Sequence, residues 1–190
     1  PQLWFRRETL EQARDMLGRD ERPIIAIGPA ANWAAKTWPL DRFIAVMNWL
    51  TQADGPFPDA RVAIIAAPGE EAQAMPVLQA VPEDRCIDLI AKGSPVQASA
   101  CLSLCDFYLG NDSGLMHAAA ACGVPTFGMF GPSWPHLYAP YGPHTAYAQT
   151  EKDFSALIDY PGYVSEEATC LMEDLSVDAV KNGIEAFLNR

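Results

Sequence analysis

The residues best suited to chemistry are one cation and one polar turn. Lys36 is the only cation in the loop 29–38 (PAANWAAKTW), where Trp33 and Trp38 flank it. Asn111, Asp112, Ser113 and Gly114 form a small polar turn between the apolar run 107–109 and an alanine-rich stretch. A helix opening at that turn has free backbone N–H groups and a partial positive charge. Gly114 lets a ligand approach the backbone closely. Ser113 either caps the helix or donates to a phosphate oxygen. A lysine facing such a helix end across a crevice suits a diphosphate. The plainer alternatives for these residues are an ordinary helix cap and a solvated surface lysine.

Asp112 would repel a diphosphate, so it is expected to point away, capping the helix or accepting from sugar hydroxyls. His117 lies one turn into the helix, on the side of Ser113 and Gly114, and either reaches the ligand or packs. Glu70 and Glu71 follow the second apolar run. One of them can accept from ribose hydroxyls, or both serve the helix dipole. The alanines 118–121 offer small side chains that let their helix sit close to a sheet, though good helix propensity also explains them.

The elements that must position these groups alternate between apolar runs and helix-period stretches. Strands are expected at 23–28, 61–67, 86–90, 106–110 and 125–130, with a weaker sixth at 145–149. Between them, Leu40, Phe43, Ile44, Met47 and Leu50 fall on one helical face, with Pro39 at the first helical position. A helix starts near Glu70. Ser94, Pro95 and Gln97 combine a capping box with a proline at the first helical position. Thr9 and Gln12 suggest another capping box, opening a leading helix within 1–20 that Gly18 ends. A closing helix runs over 176–188, and 151–170 reads as an irregular surface excursion. The fold class is therefore α/β: a Rossmann-like, mostly parallel sheet with helices on both faces. With strand order 3-2-1-4-5-6, the loops after strands one and four meet at the topological switch point, where ligands bind. Those two loops hold Lys36 and Asn111–Gly114.

Composition narrows the function. The chain has 190 residues, 49% of them hydrophobic, enough for one substantial core. Its formal charge of −11 argues against a nucleic-acid surface. No apolar run reaches the length needed to span a bilayer. Five cysteines without a CxxC pair read as reduced core thiols, with Cys101 and Cys105 spaced i,i+4 on an expected helix. The three histidines show no ligand spacing with them, and no metal is expected. There is no GxGxxG after strand one, no P-loop and no nucleophile elbow. The sequence begins without Met at Pro1 and reads as a piece of a longer protein.

The run NDSGLMHAAAACGVPTFGMFGP closely resembles the signature of glycosyltransferase family 9, which includes the ADP-heptose:lipopolysaccharide heptosyltransferases. IAIGPAANWAAKTWPLDRF resembles the loop after the first strand of that family's C-terminal domain, and TCLMEDLSVDAV its closing segment. The resemblance implies the C-terminal, donor-binding half of a GT-B enzyme over 1–190, with the N-terminal acceptor domain absent. It matches Lys36 to a diphosphate-contacting lysine and Ser113 and Gly114 to phosphate-contacting positions. Asn111, Asp112 and His117 fall in the same motif, and Glu70 or Glu71 would match a ribose-contacting glutamate. It implies inverting transfer from ADP-heptose or a related sugar to a lipopolysaccharide core or similar glycan. The general base would be an aspartate of the other domain, so no catalytic residue is expected in this chain and no activity from it alone. No cofactor or metal is implied. The expected partners are the nucleotide-sugar donor, a glycan or glycolipid acceptor and the N-terminal domain. The expected location is cytoplasmic, at the inner face of the bacterial inner membrane. The competing readings are another GT-B relative, such as a nucleotide-sugar epimerase, and a degenerate non-catalytic domain.

Overall fold

Five of the six apolar runs form strands so apolar that they must be covered on both faces, and parallel sheets are the structures that provide this. In the computed structural model, which describes residues 2–165 and 168–190, the strands are β1 (Ile24–Gly28), β2 (Arg61–Ala66), β3 (Cys86–Ile90), β4 (Phe107–Asn111), β5 (Thr126–Phe130) and β6 (Thr145–Gln149). They form one sheet in the order β3-β2-β1-β4-β5-β6, with every neighbouring pair parallel. This is the expected order. The weakest run, β6, is the edge strand, and its residues are only half covered.

Alternate residues of the strands feed two cores. On one face Ile25, Ile27, Phe107, Leu109 and Phe127 pack with α2 (Leu40–Thr51), α3 (Glu71–Gln79) and α8 (Val177–Leu188). On the other, Ala26, Ile65, Leu89 and Tyr108 pack with α1 (Arg7–Leu17), α4 (Pro95–Leu102) and α5 (Gly114–Ala121). The helix after β1 thus covers one face and the helix after β4 covers the other. Their departure in opposite directions from adjacent strands opens the crevice between them.

Local signals set most boundaries. Ser94 opens α4 with the expected reciprocal box: its Oγ accepts from Gln97 N and Gln97 Oε1 accepts from Ser94 N. Such a cap stabilises by about 1 kcal/mol. Gly18, at φ 77°, ends α1. The Thr9 box does not form. Helix α1 begins at Arg7, placing Thr9 inside it, and no side chain caps it. Pro39 sits just before the first helical residue, Leu40. Cys105 lies past the end of α4, on the turn into β4, although Cys101 and Cys105 are both buried as expected. Burial pushes the Cys101 thiol up to about 11 and the Cys105 thiol higher still, so both are inert at neutral pH.

The excursion after β6 contains α7 (Phe154–Ile158), capped by Asp153, which accepts from Ala156 N at 2.9 Å. Residues 166 and 167 of that excursion, and the starting Pro1, lie outside the described residues. A single turn, α6 (Pro135–Tyr138), follows β5. Among the described residues no helix is long and apolar enough to cross a membrane.

Candidate functional site

The loop after β1 is braced rather than free. Trp38 is fully buried, and its indole N–H donates to Leu175 O at 2.9 Å. Leu171 N donates to Ala35 O at 3.0 Å. Asn111, the last residue of β4, accepts from Trp38 N with Oδ1 at 3.1 Å and donates from Nδ2 to Pro29 O at 2.8 Å. Asn111 has no exposed surface. Expected among the ligand-binding residues, it instead spends both ends of its amide tying the loop to the sheet.

Gln73 holds the same loop from the α3 side. Its Oε1 accepts from Ala31 N and Thr37 Oγ1, and its Nε2 donates to Ala31 O. Sequence reasoning missed Gln73. A glutamine in the first turn of a helix carries no distinctive signal, and only the folded register brings it to a loop some forty residues earlier.

These braces place Lys36, at the end of a short 3-10 turn (Ala34–Lys36), over the start of α5. Lys36 Nζ lies 2.5 Å from Asp112 Oδ2. The Asp112 side chain is almost wholly buried, while Lys36 keeps a fifth of its surface exposed. Asp112 was expected to cap α5 or to face sugar hydroxyls. It does not cap the helix; it pairs with the lysine across the crevice. The ammonium has three donors, so two remain after this pairing. His117, in the first turn of α5 and half exposed, sits with Nε2 3.9 Å from Asp112 Oδ1.

No side chain caps α5. Ser113 occupies the N-cap position in extended conformation, yet its Oγ is buried without a hydrogen-bond partner. The N–H groups of Gly114 and Leu115 remain open, and Gly114 is exposed. The Ser113 hydroxyl turns inward, toward the buried phenol of Tyr108, its one polar neighbour. Burial pushes that phenol well above its ordinary range, with the neighbouring Ser113 hydroxyl opposing. Donation to a ligand at this end of α5 therefore rests with the backbone, not with the serine side chain in this rotamer.

The structure separates the two glutamates. Glu70 lines a cleft of about 300 Å³ with Ala67, Ser113, Gly114 and Leu115. Its Oε2 accepts from Ala67 N at 3.0 Å, which ties the carboxylate to the end of β2. Glu71 is more exposed, folds back to accept from Gly69 N, and lies outside that cleft. Bonds from the backbone N–H groups of Glu71 itself and of Gly69 lower its pKa. Lys36, Asp112 and His117 thus cluster at the start of α5, and Glu70 meets the same helix end through the cleft it shares with Ser113 and Gly114. A cation and a bundle of open N–H groups suit an anion such as a diphosphate. A carboxylate at the end of the neighbouring strand suits hydroxyl donors.

The profile of glycosyltransferase family 9 (heptosyltransferase) matches residues 1–157. The chain is 33% identical over 135 residues to lipooligosaccharide heptosyltransferase 2 of Haemophilus influenzae, covering 68% of this chain and 37% of that one. It is 27% identical over 149 residues to lipopolysaccharide heptosyltransferase 2 of Salmonella typhimurium, covering 74% of this chain and 41% of the other. The chain therefore spans about two fifths of the length of these curated relatives. Among solved structures, a family 9 glycosyl transferase from Veillonella parvula superposes with a TM-score of 0.77 at 22% identity, over 99% of this chain and 53% of that one. E. coli ADP-heptose LPS heptosyltransferase II superposes with a TM-score of 0.75 at 24% identity, over 100% and 54%. At these identities the superpositions establish the fold, and the profile match establishes the family: the chain belongs to glycosyltransferase family 9.

Proposed function

We propose that this chain binds the nucleoside-diphosphate-sugar donor of a heptosyltransferase-type glycosyl transfer. The observation that carries the reading is the Lys36 ammonium held by Asp112 at the open N-terminus of α5. The diphosphate bridges the two free donors of Lys36 and the N–H groups of Gly114 and Leu115. Glu70 accepts from the ribose hydroxyls. His117 stands at the rim, next to the phosphates or the sugar. Asn111 and Gln73 act by fixing the loop and touch no ligand.

In transfer, the glycosidic bond to the diphosphate breaks as the acceptor oxygen bonds to the anomeric carbon from the opposite face. Negative charge grows on the departing diphosphate. Lys36 and the α5 terminus are fixed before reaction and stabilise that charge, the usual source of large electrostatic gains. The proton leaving the acceptor needs a base, which this reading assigns to a part of the protein beyond this domain. The donor expected is ADP-heptose or a close relative. The curated relatives are named for lipopolysaccharide and lipooligosaccharide, and one solved family neighbour is an E. coli heptosyltransferase with ADP. The acceptor is accordingly proposed as a lipopolysaccharide-type core, met at the inner membrane face.

Calorimetric titration with ADP, GDP, UDP and ADP-heptose tests this. ADP and ADP-heptose should bind, and Lys36→Ala should weaken both by about ten- to a hundredfold, the worth of a charge-assisted hydrogen bond or two. Failure of every nucleotide to bind both the folded chain and the full-length protein would overturn the donor-binding reading.

A further inference from the structure

A second cleft, of about 320 Å³, opens beyond the ends of β5 and β6 and shares no residue with the crevice. Ser133, Trp134, Tyr147, Gln149, Asp153 and Phe154 form its walls. It lies on the same edge of the sheet as α5. Since β4, β5 and β6 are adjacent, it sits roughly 10 Å along the sheet from β4, two strand spacings.

Three features of this cleft point to a ligand. Ser133 is only 5% exposed, and its Oγ is buried with no hydrogen-bond partner. An unpaired buried hydroxyl is costly unless something pairs it. Two large aromatic residues, Trp134 and Tyr147, remain about two-fifths exposed beside it. Trp134 is held by Phe154, with ring centroids 4.3 Å apart and planes tilted by 45°. The His136 imidazole also stands against Trp134, at 5.8 Å and 33°, so the three rings form a tilted aromatic wall with part of the indole exposed, not a parallel slot for a flat base. The third feature is the polar lining. Among the described residues the side chains of Gln149 and His136 make no hydrogen bond, and Asp153 uses only Oδ1, on the α7 cap. No lysine or arginine lines the cleft, and its one carboxylate repels anions.

A neutral ring with an apolar C–H face and a rim of hydroxyls satisfies all three features. Its C–H groups meet the electron-rich face of the Trp134 indole. Its hydroxyls pair with Gln149 as donor and acceptor, with the free oxygen of Asp153, and with Ser133 once a χ1 rotation turns its buried hydroxyl toward the cleft. We propose that this cleft is a second ligand site that takes a single neutral pyranose ring. The ring comes from a glycan chain or from the donor's own sugar.

The test is a proton–nitrogen NMR titration of the 190-residue chain. The reporters are the Trp134 indole N–H, the Gln149 side-chain amide and the Gly114 backbone amide. The probes are methyl mannopyranoside, methyl glucopyranoside, a methyl heptopyranoside, ADP and ADP-heptose. Free pyranosides should give saturable millimolar shifts at Trp134 and Gln149 and none at Gly114. Trp134→Ala should abolish these shifts and Ser133→Ala should weaken them several-fold. ADP should shift Gly114 alone, so the two sites succeed or fail separately. If ADP-heptose moves Trp134 where ADP does not, the ring is the donor's. If only free pyranosides move it, the ring belongs to a glycan. Silence of Trp134 and Gln149 to every sugar at tens of millimolar would overturn the proposal.

Discussion

Lys36 Nζ stands 2.5 Å from Asp112 Oδ2, an ion pair that joins the loop after β1 to the start of α5 across the crevice. The pair orients the lysine and also ties down the two loops. Removing either partner therefore has two consequences, which a double-mutant cycle separates. Lys36→Met leaves the nearly buried Asp112 carboxylate without its cation and should cost about 3 kcal/mol of stability. Asp112→Asn should cost less, since Lys36 is less buried than Asp112 and its ammonium can turn toward water. The double variant should recover most of the Lys36→Met loss. Nucleotide affinity should follow a different order: Lys36→Met and the double variant both lose it, and Asp112→Asn keeps most of it. Urea titrations and calorimetry on the four proteins measure both. Additive stability losses would show that the pair is not coupled.

Asn111 should be a stability residue. Asn111→Ala leaves Trp38 N–H and Pro29 C=O unpaired in the interior, and each orphan costs about 1–3 kcal/mol. A total of about 2–6 kcal/mol is expected. Asn111→Asp keeps the acceptor for Trp38 but sets a carboxylate oxygen against the Pro29 carbonyl, so it should be no better than alanine. Thermal denaturation compares the three. A neutral Asn111→Ala would remove the bracing role.

Tyr108 is wedged between two glycines. A Cβ on Gly28 would come within 2.2 Å of its hydroxyl, and one on Gly110 within 2.4 Å. Gly28→Ala and Gly110→Ala should each destabilise by about 1–3 kcal/mol through overpacking. Tyr108→Phe removes a buried hydroxyl whose one polar neighbour is Ser113, at poor geometry, and should change stability by no more than about 1 kcal/mol. A large loss of melting temperature in Tyr108→Phe would show that the phenol is paired in solution.

Acid should loosen the turn between α1 and β1. Arg22 donates to Asp20 Oδ2 from Nε and Nη2 at 2.9 and 2.7 Å. Mainly through this side-chain hydrogen bond, the Asp20 pKa falls from 3.8 to about 2. A depressed folded pKa means that the contribution is full above 3.8 and is lost as pH falls toward 2. Asp20→Asn should flatten the stability slope in that window and leave the slope above pH 5 unchanged, as denaturant midpoints between pH 2 and 6 would show. An unaltered acid slope in Asp20→Asn would remove the claim.

The strands were legible because parallel, doubly covered strands read as continuous apolar runs, and every one lies within a residue or so of its expected place. Ser94 and Gln97 were legible because a capping box is a local bargain between residues three apart. Thr9 and Gln12 have the same spacing, yet α1 simply starts earlier and absorbs them. A local pattern yields when the amphipathic face that packs, here with Ala13 and Leu17 buried, extends beyond it.

The sequence by itself determined the alternation of strands and helices and singled out the loops after strands one and four; that those loops meet followed only on the common order 3-2-1-4-5-6, which the sheet has. Alternating patterns and short connections leave few other foldings open. It did not determine which polar side chains within those loops are spent on structure. Asn111 and Asp112 are adjacent and similar in size, yet one braces the loop through two backbone bonds and the other pairs with Lys36. Only one of Glu70 and Glu71 lines the cleft. Only the tertiary structure decided these, because a hydrogen-bond partner 76 or 82 positions away in the chain leaves no local spacing to read.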